Sequence, residues 1–254
     1  MELSNKALNP GHTRYPPPTE LTSVTATLPA DLMAAEAAAL DALLHALGHE
    51  QGNRWTVTWR FEGLRLLPVV IRFTNALREA GLDPVIAWPD AGAAALAQRD
   101  APELAAACCS LMDLKRGRFA DANDRLLVAI APQPSDYEEL ESVTEAWVGH
   151  VAMLNGRLED AAVGIGNVAR TRRRGFVSTW QVAYWLEPLA QGAVQRQCPG
   201  PWWVFRRDPD GHRAVGSFES RPEPEDIEAC LYGEGAELER QVGAMDRFLN
   251  DLRG

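Results

Sequence analysis

The sequence predicts an α/β fold: a single domain in which a mixed, mostly parallel sheet carries helices on both faces. Short apolar runs of strand length alternate with amphipathic stretches of helical length, and the connections between them are short. Near the C-terminus two strand-like runs flank the turn sequence Asp208-Pro-Asp-Gly-His212, which is typical of an antiparallel hairpin. A chain of 254 residues, 46% of them hydrophobic, can bury one large core. We therefore expect one domain over residues 28–254, ending in a helix.

The chain begins with a proline-rich segment. Residues 1–27 contain Pro10, Pro16, Pro17 and Pro18 among polar residues. Such a composition neither continues a helix nor buries much apolar surface. We expect a flexible or docked tail here.

The later elements follow from their residue patterns. A helix is expected from Pro29 to about Gly48, because proline and Asp31 suit a first turn and leucines then fall on one stripe. Runs of β-branched, aromatic and other apolar residues predict strands at 54–62, 84–88, 126–131 and 150–155, another strand before Asp113, and hairpin arms at 201–207 and 213–219. Helices are predicted at 67–80, at 91–98 and from residue 135. After Pro222 the chain is acidic and helical, and one helical face carries Leu238, Val242, Met245 and Leu249.

Composition argues against several classes of function. The 35 acidic residues outnumber the 25 basic ones and give a net charge of -10, which argues against binding of nucleic acid, because its phosphates require a basic face. The four cysteines show no CxxC spacing and the five histidines are scattered, so we expect neither a metal site nor a cofactor. Reduced cysteines and the lack of an apolar run of membrane-spanning length predict a soluble cytoplasmic protein without an integral membrane segment.

The most informative stretch surrounds a glycine-rich turn with arginines. It follows Asn155 and contains Arg157, Arg170, Arg172, Arg173 and Arg174. No acidic residue lies between Asp160 and Glu187, which locally reverses the sign of the net charge. Clustered guanidinium groups receive phosphates, carboxylates or acidic protein surfaces. The stretch therefore predicts a contact surface, with helical residues 170, 173 and 174 presenting their guanidinium groups on one face.

The glycine-rich turn also matches a dinucleotide-binding motif. Gly164 and Gly166 belong to Gly164-Ile-Gly-Asn-Val-Ala169, which fits the GxGxxA pattern. However, eight residues separate the motif from its strand, and Glu187, the candidate acidic partner, lies in a predicted Glu-Pro turn. A structural turn is the favoured interpretation, and binding of a phosphate or carboxylate by this loop with Arg170 is the alternative.

Asp90 lies just beyond the carboxyl end of the predicted strand 84–88, where α/β sheets usually hold their sites. Aspartate is also a preferred N-cap, and good helix formers follow it, so capping is the favoured interpretation. The sequence contains no nucleophile elbow, P-loop or zinc-protease motif, and no complete catalytic constellation. We expect no catalysis by this chain, although the sequence leaves the question of an enzyme open.

Seven short motifs resemble those of one family. They are Leu28-Pro-Ala-Asp-Leu32, Pro89-Asp-Ala-Gly-Ala-Ala-Ala-Leu-Ala97, Leu154-Asn-Gly-Arg-Leu-Glu-Asp160, the stretch from Val163 to Arg170, Arg174-Gly-Phe176, Tyr184-Trp-Leu-Glu-Pro188 and Pro199-Gly-Pro-Trp-Trp-Val204. On these residues the chain resembles DUF1995, a domain-of-unknown-function family of cyanobacteria and chloroplasts, from about residue 28 to residue 228. The resemblance implies an oxygenic phototroph and, from chloroplast relatives, a link to photosystem II assembly. A chloroplast adenylate kinase with a similar domain implies a nucleotide-linked role as the alternative, and the family implies no catalytic residues.

We therefore expect an accessory factor for the biogenesis or regulation of a photosynthetic complex, located in the cyanobacterial cytoplasm or associated with the thylakoid. It would bind a protein partner, a subunit of such a complex. The alternative is an enzyme or sensor that binds a small phosphorylated metabolite or a nucleotide at the carboxyl edge of the sheet. The candidate binding residues are Asp90, Asn155, Arg157, Gly164, Gly166, Arg170, Arg173 and Arg174. In the alternative, Asp90, Asn155, Arg157 and Arg170 should converge on one concave pocket.

Overall fold

The structure is a computed structural model that describes residues 26–49, 51–158 and 167–233. The side chains of residues 167–170 and 172 are not described. The helices are α1 (Leu32–His49), α2 (Leu66–Glu79), α3 (Ala91–Asp100), α4 (Leu111–Lys115), α5 (Tyr137–Ala146), α6 (Asn167–Val177) and α7 (Pro224–Tyr232). The strands are β1 (Arg54–Trp59), β2 (Val85–Trp88), β3 (Cys108–Ser110), β4 (Leu127–Ile130), β5 (Val151–Leu154), β6 (Gln181–Leu189), β7 (Gly192–Gln197), β8 (Trp202–Asp208) and β9 (Gly211–Phe218).

Within these ranges the nine strands form one sheet in the order β3-β2-β4-β5-β1-β6-β7-β8-β9. The strands from β3 to β6 in that order pair in parallel. β7, β8 and β9 extend the sheet by antiparallel pairing. The predicted fold class, including the C-terminal hairpin of β8 and β9 and the helix after it, is confirmed.

Helices cover both faces of the parallel part. On the first face α1, α2 and α3 pack on a core that includes Trp55, Val57 and Trp59 of β1. On the second face α4, α5 and α6 pack on a core that includes Met153 of β5. Because strand side chains alternate, β1 directs Arg54, Thr56 and Thr58 toward the second face. α7 packs beside β8, where Leu231 lies in a third core cluster with Trp202 and Val204.

Local hydrogen bonds fix where several helices begin. Ser110 and Asp113 form a capping box at α4: the Ser110 Oγ accepts from the Asp113 N–H at 3.1 Å, and the Asp113 carboxylate accepts from the Ser110 N–H at 3.0 Å. The Ser110 Oγ also donates to this carboxylate at 2.8 Å, and the hydrogen bonds from the Ser110 N–H and Oγ lower the pKa of Asp113. At α1 the Asp31 Oδ1 accepts from the Ala34 N–H at 2.8 Å. The indole Nε1 of Trp59 donates to the Ala35 carbonyl at 3.4 Å, which ties α1 to β1.

Two strands and one turn differ from the sequence prediction. The sequence does not predict β6 and β7, because Glu187-Pro188 within β6 is typical of a turn. The predicted Glu187-Pro188 turn is wrong, since both residues lie inside β6. A proline is tolerated there because Leu186 is the last residue of β6 that pairs with β1, so Pro188 has no parallel neighbour.

Two further predictions fall outside the described residues: the tail over residues 1–25, and the apolar face formed by Leu238, Val242, Met245 and Leu249. Among the described helices, none combines the length and the apolar character needed to cross a membrane.

Candidate binding surface

Two predicted site residues follow parallel strands at the same edge of the sheet. Asp90 lies two residues after β2, and Asn155 directly follows β5. Only β4 separates these strands, so strand spacing puts the two positions roughly 10 Å apart. β2 and β4 are neighbours in the sheet, but the chain continues from β2 to β3 on one side and from β4 to β5 on the other side. Such a switch point is where open α/β sheets commonly bind ligands.

The Asp90 carboxylate caps α3. Its Oδ1 accepts from the Ala93 N–H at 2.9 Å, and the residue has the extended backbone of an N-cap. The favoured interpretation of this aspartate is therefore confirmed in its geometry. The side chain is exposed to solvent. The cap explains why an aspartate stands at this position without requiring a ligand.

The Asn155 amide completes the pairing between β5 and β1. Its Oδ1 accepts from the Trp59 N–H at 2.7 Å, and its Nδ2 donates to the Trp59 carbonyl at 3.0 Å. The Asn155 N–H also donates to the Val57 carbonyl at 2.9 Å. Its φ of 52° is left-handed, a conformation that asparagine adopts more readily than most residues. Both ends of this amide are thus engaged by backbone groups of β1.

The other predicted residues near this edge contribute less to a defined pocket. Arg157 is exposed, and its backbone N–H donates to the Pro132 carbonyl at 2.9 Å. Gly164 and Gly166 lie outside the described residues, as does the side chain of Arg170. Asp90, Asn155 and Arg157 do not line the small cavity beside α6, the cavity at the start of α1 or the cavity beside α7.

α6 provides the predicted arginine helix and is anchored by aromatic residues. Phe176 is buried and contacts Tyr137 of α5 and the following Trp180 edge-on, with ring centroids 5.4 Å and 5.9 Å away. The Arg173 guanidinium lies over the Tyr137 ring, 4.7 Å from its centroid, and is half-buried. Arg174 is exposed. Of this pair, Arg174 reaches solvent fully, whereas Arg173 is held against α5.

A residue of β1 adds a second guanidinium beside α6. Arg54 lies over the Phe176 ring at 5.2 Å from its centroid, and its Nη1 donates to the Thr179 Oγ1 at 2.9 Å. Neither Arg54 nor Arg174 forms an ion pair within the described part of the chain. Two positive charges therefore flank the C-terminal half of α6.

A tryptophan pair carries more arginines on the same side of the sheet. The Trp185 and Trp202 rings lie 6.0 Å apart and are only 3% and 1% exposed. Arg60 and Arg221 lie over Trp185, with guanidinium carbons 5.0 Å and 4.1 Å from the ring centroid. Glu187 accepts from the Trp185 Nε1 at 3.0 Å and lies 3.8 Å from Arg221. The two rings are thus buried, with arginines above Trp185.

A small cavity lies between the end of α6 and Trp185. It measures about 80 Å³, and its lining includes Val177 of α6, the following Trp180, Thr56 and Thr58 of β1, Trp185 and Arg221. We call the five arginines that lie over these neighbouring aromatic rings or beside them on α6 the arginine face: Arg54, Arg60, Arg173, Arg174 and Arg221. The Nε of Arg54 and the Nε1 of Trp180 are buried there without a hydrogen-bond acceptor in the described structure.

Sequence reasoning identified Arg173 and Arg174 but missed Arg54, Arg60 and Arg221. One signal was present, since polar Arg54, Thr56 and Thr58 alternate with apolar residues along β1. Within the described ranges no group of histidine, cysteine and acidic side chains is arranged to hold a metal ion.

Comparison with protein families finds a match to most of the chain. Residues 29–229 match the family model described as "Domain of unknown function (DUF1995)". A search of curated proteins found none that matches the chain.

Proposed function

We propose that this chain, which belongs to the DUF1995 family, is an accessory factor that binds a protein partner through the arginine face. The observation that carries the proposal is the stacking of Arg54, Arg60, Arg173 and Arg221 on aromatic rings of α5, α6 and β6. Arginine and aromatic residues are enriched in the energetically dominant parts of protein interfaces.

The stacking favours binding because it limits the entropy lost on association. An arginine side chain that already rests on a ring has fewer rotamers to lose when a partner binds. Each contact of a guanidinium with a ring stabilises this position of the side chain by roughly 0.5–1 kcal/mol at an exposed site. Arg174, which is exposed on α6, can form bidentate hydrogen bonds to a carboxylate of the partner.

The charges indicate the chemistry of the partner. Arg54 and Arg174 lack carboxylate partners in the described structure, although the whole chain carries a net charge of -10. A local positive surface on an acidic protein attracts an acidic partner and orients it on approach. The partner we propose is an acidic segment of a photosynthetic complex subunit, and the proposed place is the cyanobacterial cytoplasm or the thylakoid surface. This finer assignment rests on the family resemblance.

Binding of a phosphorylated metabolite or nucleotide at the carboxyl edge is the weaker proposal. Its four residues were Asp90, Asn155, Arg157 and Arg170. Asp90 caps α3, and both polar atoms of the Asn155 amide bond to Trp59. The side chains of three of these residues, Asp90, Asn155 and Arg157, are described. Of these three, only Arg157 is exposed and has no hydrogen bond that fixes its side chain to the described part of the fold.

Co-purification tests the proposed function. Tagged wild-type protein and the variants Arg174→Glu and Arg99→Glu are expressed in a cyanobacterium, and captured proteins are quantified by mass spectrometry. Arg99 is a matched control because it is exposed on α3, on the first face of the sheet. We expect Arg174→Glu to lower recovery of photosynthetic complex subunits by about tenfold, which corresponds to about 1.4 kcal/mol. Equal recovery by both variants, or no such subunit with wild type, would contradict the proposal.

A further inference from the structure

A second cavity lies on the first face of the sheet, away from the arginine face. It measures about 560 Å³, within the range of about 300–1,000 Å³ that is usual for small-molecule sites. Its walls come from the start of α1 and from the loop that follows β1, and its floor comes from β6 and β7. It therefore lies at the carboxyl ends of the parallel strands β1 and β6, the edge at which α/β sheets usually bind ligands.

The inner surface of this cavity is apolar. The residues that make it so are Leu28, Leu32, Phe61, Leu64, Leu186 and Pro188. Leu28, Leu32, Phe61 and Leu64 are only half-buried, although they pack against the main core of the first face. The core thus opens to solvent at this point. Covering these side chains with an apolar ligand would remove more of their surface from water, which is favourable.

The walls are held in place by their own hydrogen bonds. Asp31 caps the first turn of α1 through the Ala34 N–H. The β1–α2 loop turns at Phe61, whose carbonyl accepts from the Leu64 N–H at 3.3 Å, and Gly63 has a left-handed φ of 69°. The Arg60 N–H donates to the Leu186 carbonyl at 2.9 Å, which fixes this loop to the floor. A preformed cavity loses little entropy when a ligand binds.

The rim selects against negative charge. Its ionisable side chains are Asp31, Glu62, Arg65 and His212, all exposed. With histidine neutral, two carboxylates oppose one guanidinium, so a phosphate or sulfonate would meet net repulsion. We propose that this cavity binds a predominantly apolar small molecule that carries no negative charge. This site is separate from the arginine face in position and in ligand chemistry.

Dye binding to the full chain tests this site. Nile red, an uncharged apolar dye, should bind saturably with one molecule per chain and show a blue-shifted emission. Ala30 is exposed and lines the cavity, so the indole of Ala30→Trp should block the mouth and weaken dye binding by at least about tenfold. Ala37→Trp is the matched control, because Ala37 is exposed on α1 but does not line the cavity. It should bind like wild type.

A second variant tests the charge selection. The sulfonated dye anilinonaphthalene sulfonate should bind wild type more weakly than Nile red, and Glu62→Lys should increase its affinity by removing the repulsion. Glu62 lies in an exposed loop, so this change spares the core. Absence of saturable Nile red binding by wild type, or equal binding by the two tryptophan variants, would overturn the site. Unchanged sulfonate binding by Glu62→Lys would overturn the charge selection.

Discussion

Replacing Asn155 by alanine should destabilise the protein, because its amide completes the pairing between β5 and β1. The variant loses two hydrogen bonds to Trp59, at 2.7 Å and 3.0 Å. Each hydrogen bond contributes about 0.5–1.5 kcal/mol net, which gives roughly 1–3 kcal/mol. Alanine must also adopt the left-handed backbone of this position, at a φ of 52°, which adds about 1 kcal/mol. We expect a total loss of about 2–4 kcal/mol in the free energy of unfolding.

Equilibrium unfolding in urea, followed by circular dichroism, measures this loss. Asn155→Gly separates its two causes, since glycine also lacks the amide but adopts positive φ without strain. The glycine variant should therefore be the more stable of the two. Asp90→Ala supplies a second comparison at the same edge, because losing an N-cap costs only about 1 kcal/mol.

One result would refute this reasoning about Asn155. If Asn155→Ala unfolded within about 0.5 kcal/mol of wild type, the size of an ordinary surface substitution, its amide would not support the sheet. The residue would then be available for a ligand, and the metabolite-binding alternative would gain weight.

Two further predictions concern single side chains. Ser110→Ala should lower the free energy of unfolding by about 1 kcal/mol in urea titrations, because it removes the cap of α4. The backbone N–H and the Oγ of Ser110 both donate to the Asp113 carboxylate and depress its pKa in the folded protein, so their contribution is present above the ordinary aspartate pKa and is lost as the pH falls through the depressed one. Ser110→Ala keeps the hydrogen bond from the backbone and removes the one from the Oγ. Ser110→Ala should show a smaller loss of stability over that acidic range, and an unchanged acid dependence would contradict this. Burial raises the pKa of Cys109 to about 12, so iodoacetamide at neutral pH should modify it far more slowly than the half-buried Cys230. Peptide mapping would contradict that order if Cys109 were labelled first.

The fold was largely predictable because its signals are local. Aspartate before a run of helix formers predicted the cap at Asp90, and the turn Asp208-Pro-Asp-Gly-His212 predicted the β8–β9 hairpin, whose Asp208 and Gly211 pair. β6 was missed because Pro188 and Glu187 resemble a turn in sequence. A proline is acceptable there because β1 stops pairing with β6 at Leu186, so Pro188 needs no backbone N–H for a bond to β1.

The candidate surface was less predictable because distant segments build it. Arg60 and Arg221 meet on Trp185 although they are far apart in the sequence. Their meeting depends on the pairing of β1 with β6 and on the path of the chain after β9, and neither is a local property. The role of Asn155 depends in the same way on its neighbour β1. Sequence reasoning found the helix that carries Arg173 and Arg174 but could not show which of these arginines faces solvent.

The affinity for the captured partner, measured against salt concentration, tests the central claim most directly. Wild type is compared with the double variant Arg173→Ala, Arg174→Ala, and a thermal melt checks that the variant remains folded. We predict that binding to wild type weakens as salt increases, because exposed charges are screened. The double variant should bind more weakly and depend less on salt while melting within a few degrees of wild type. A variant that melts normally and binds with unchanged affinity and salt dependence would contradict the claim that the arginine face is the binding surface.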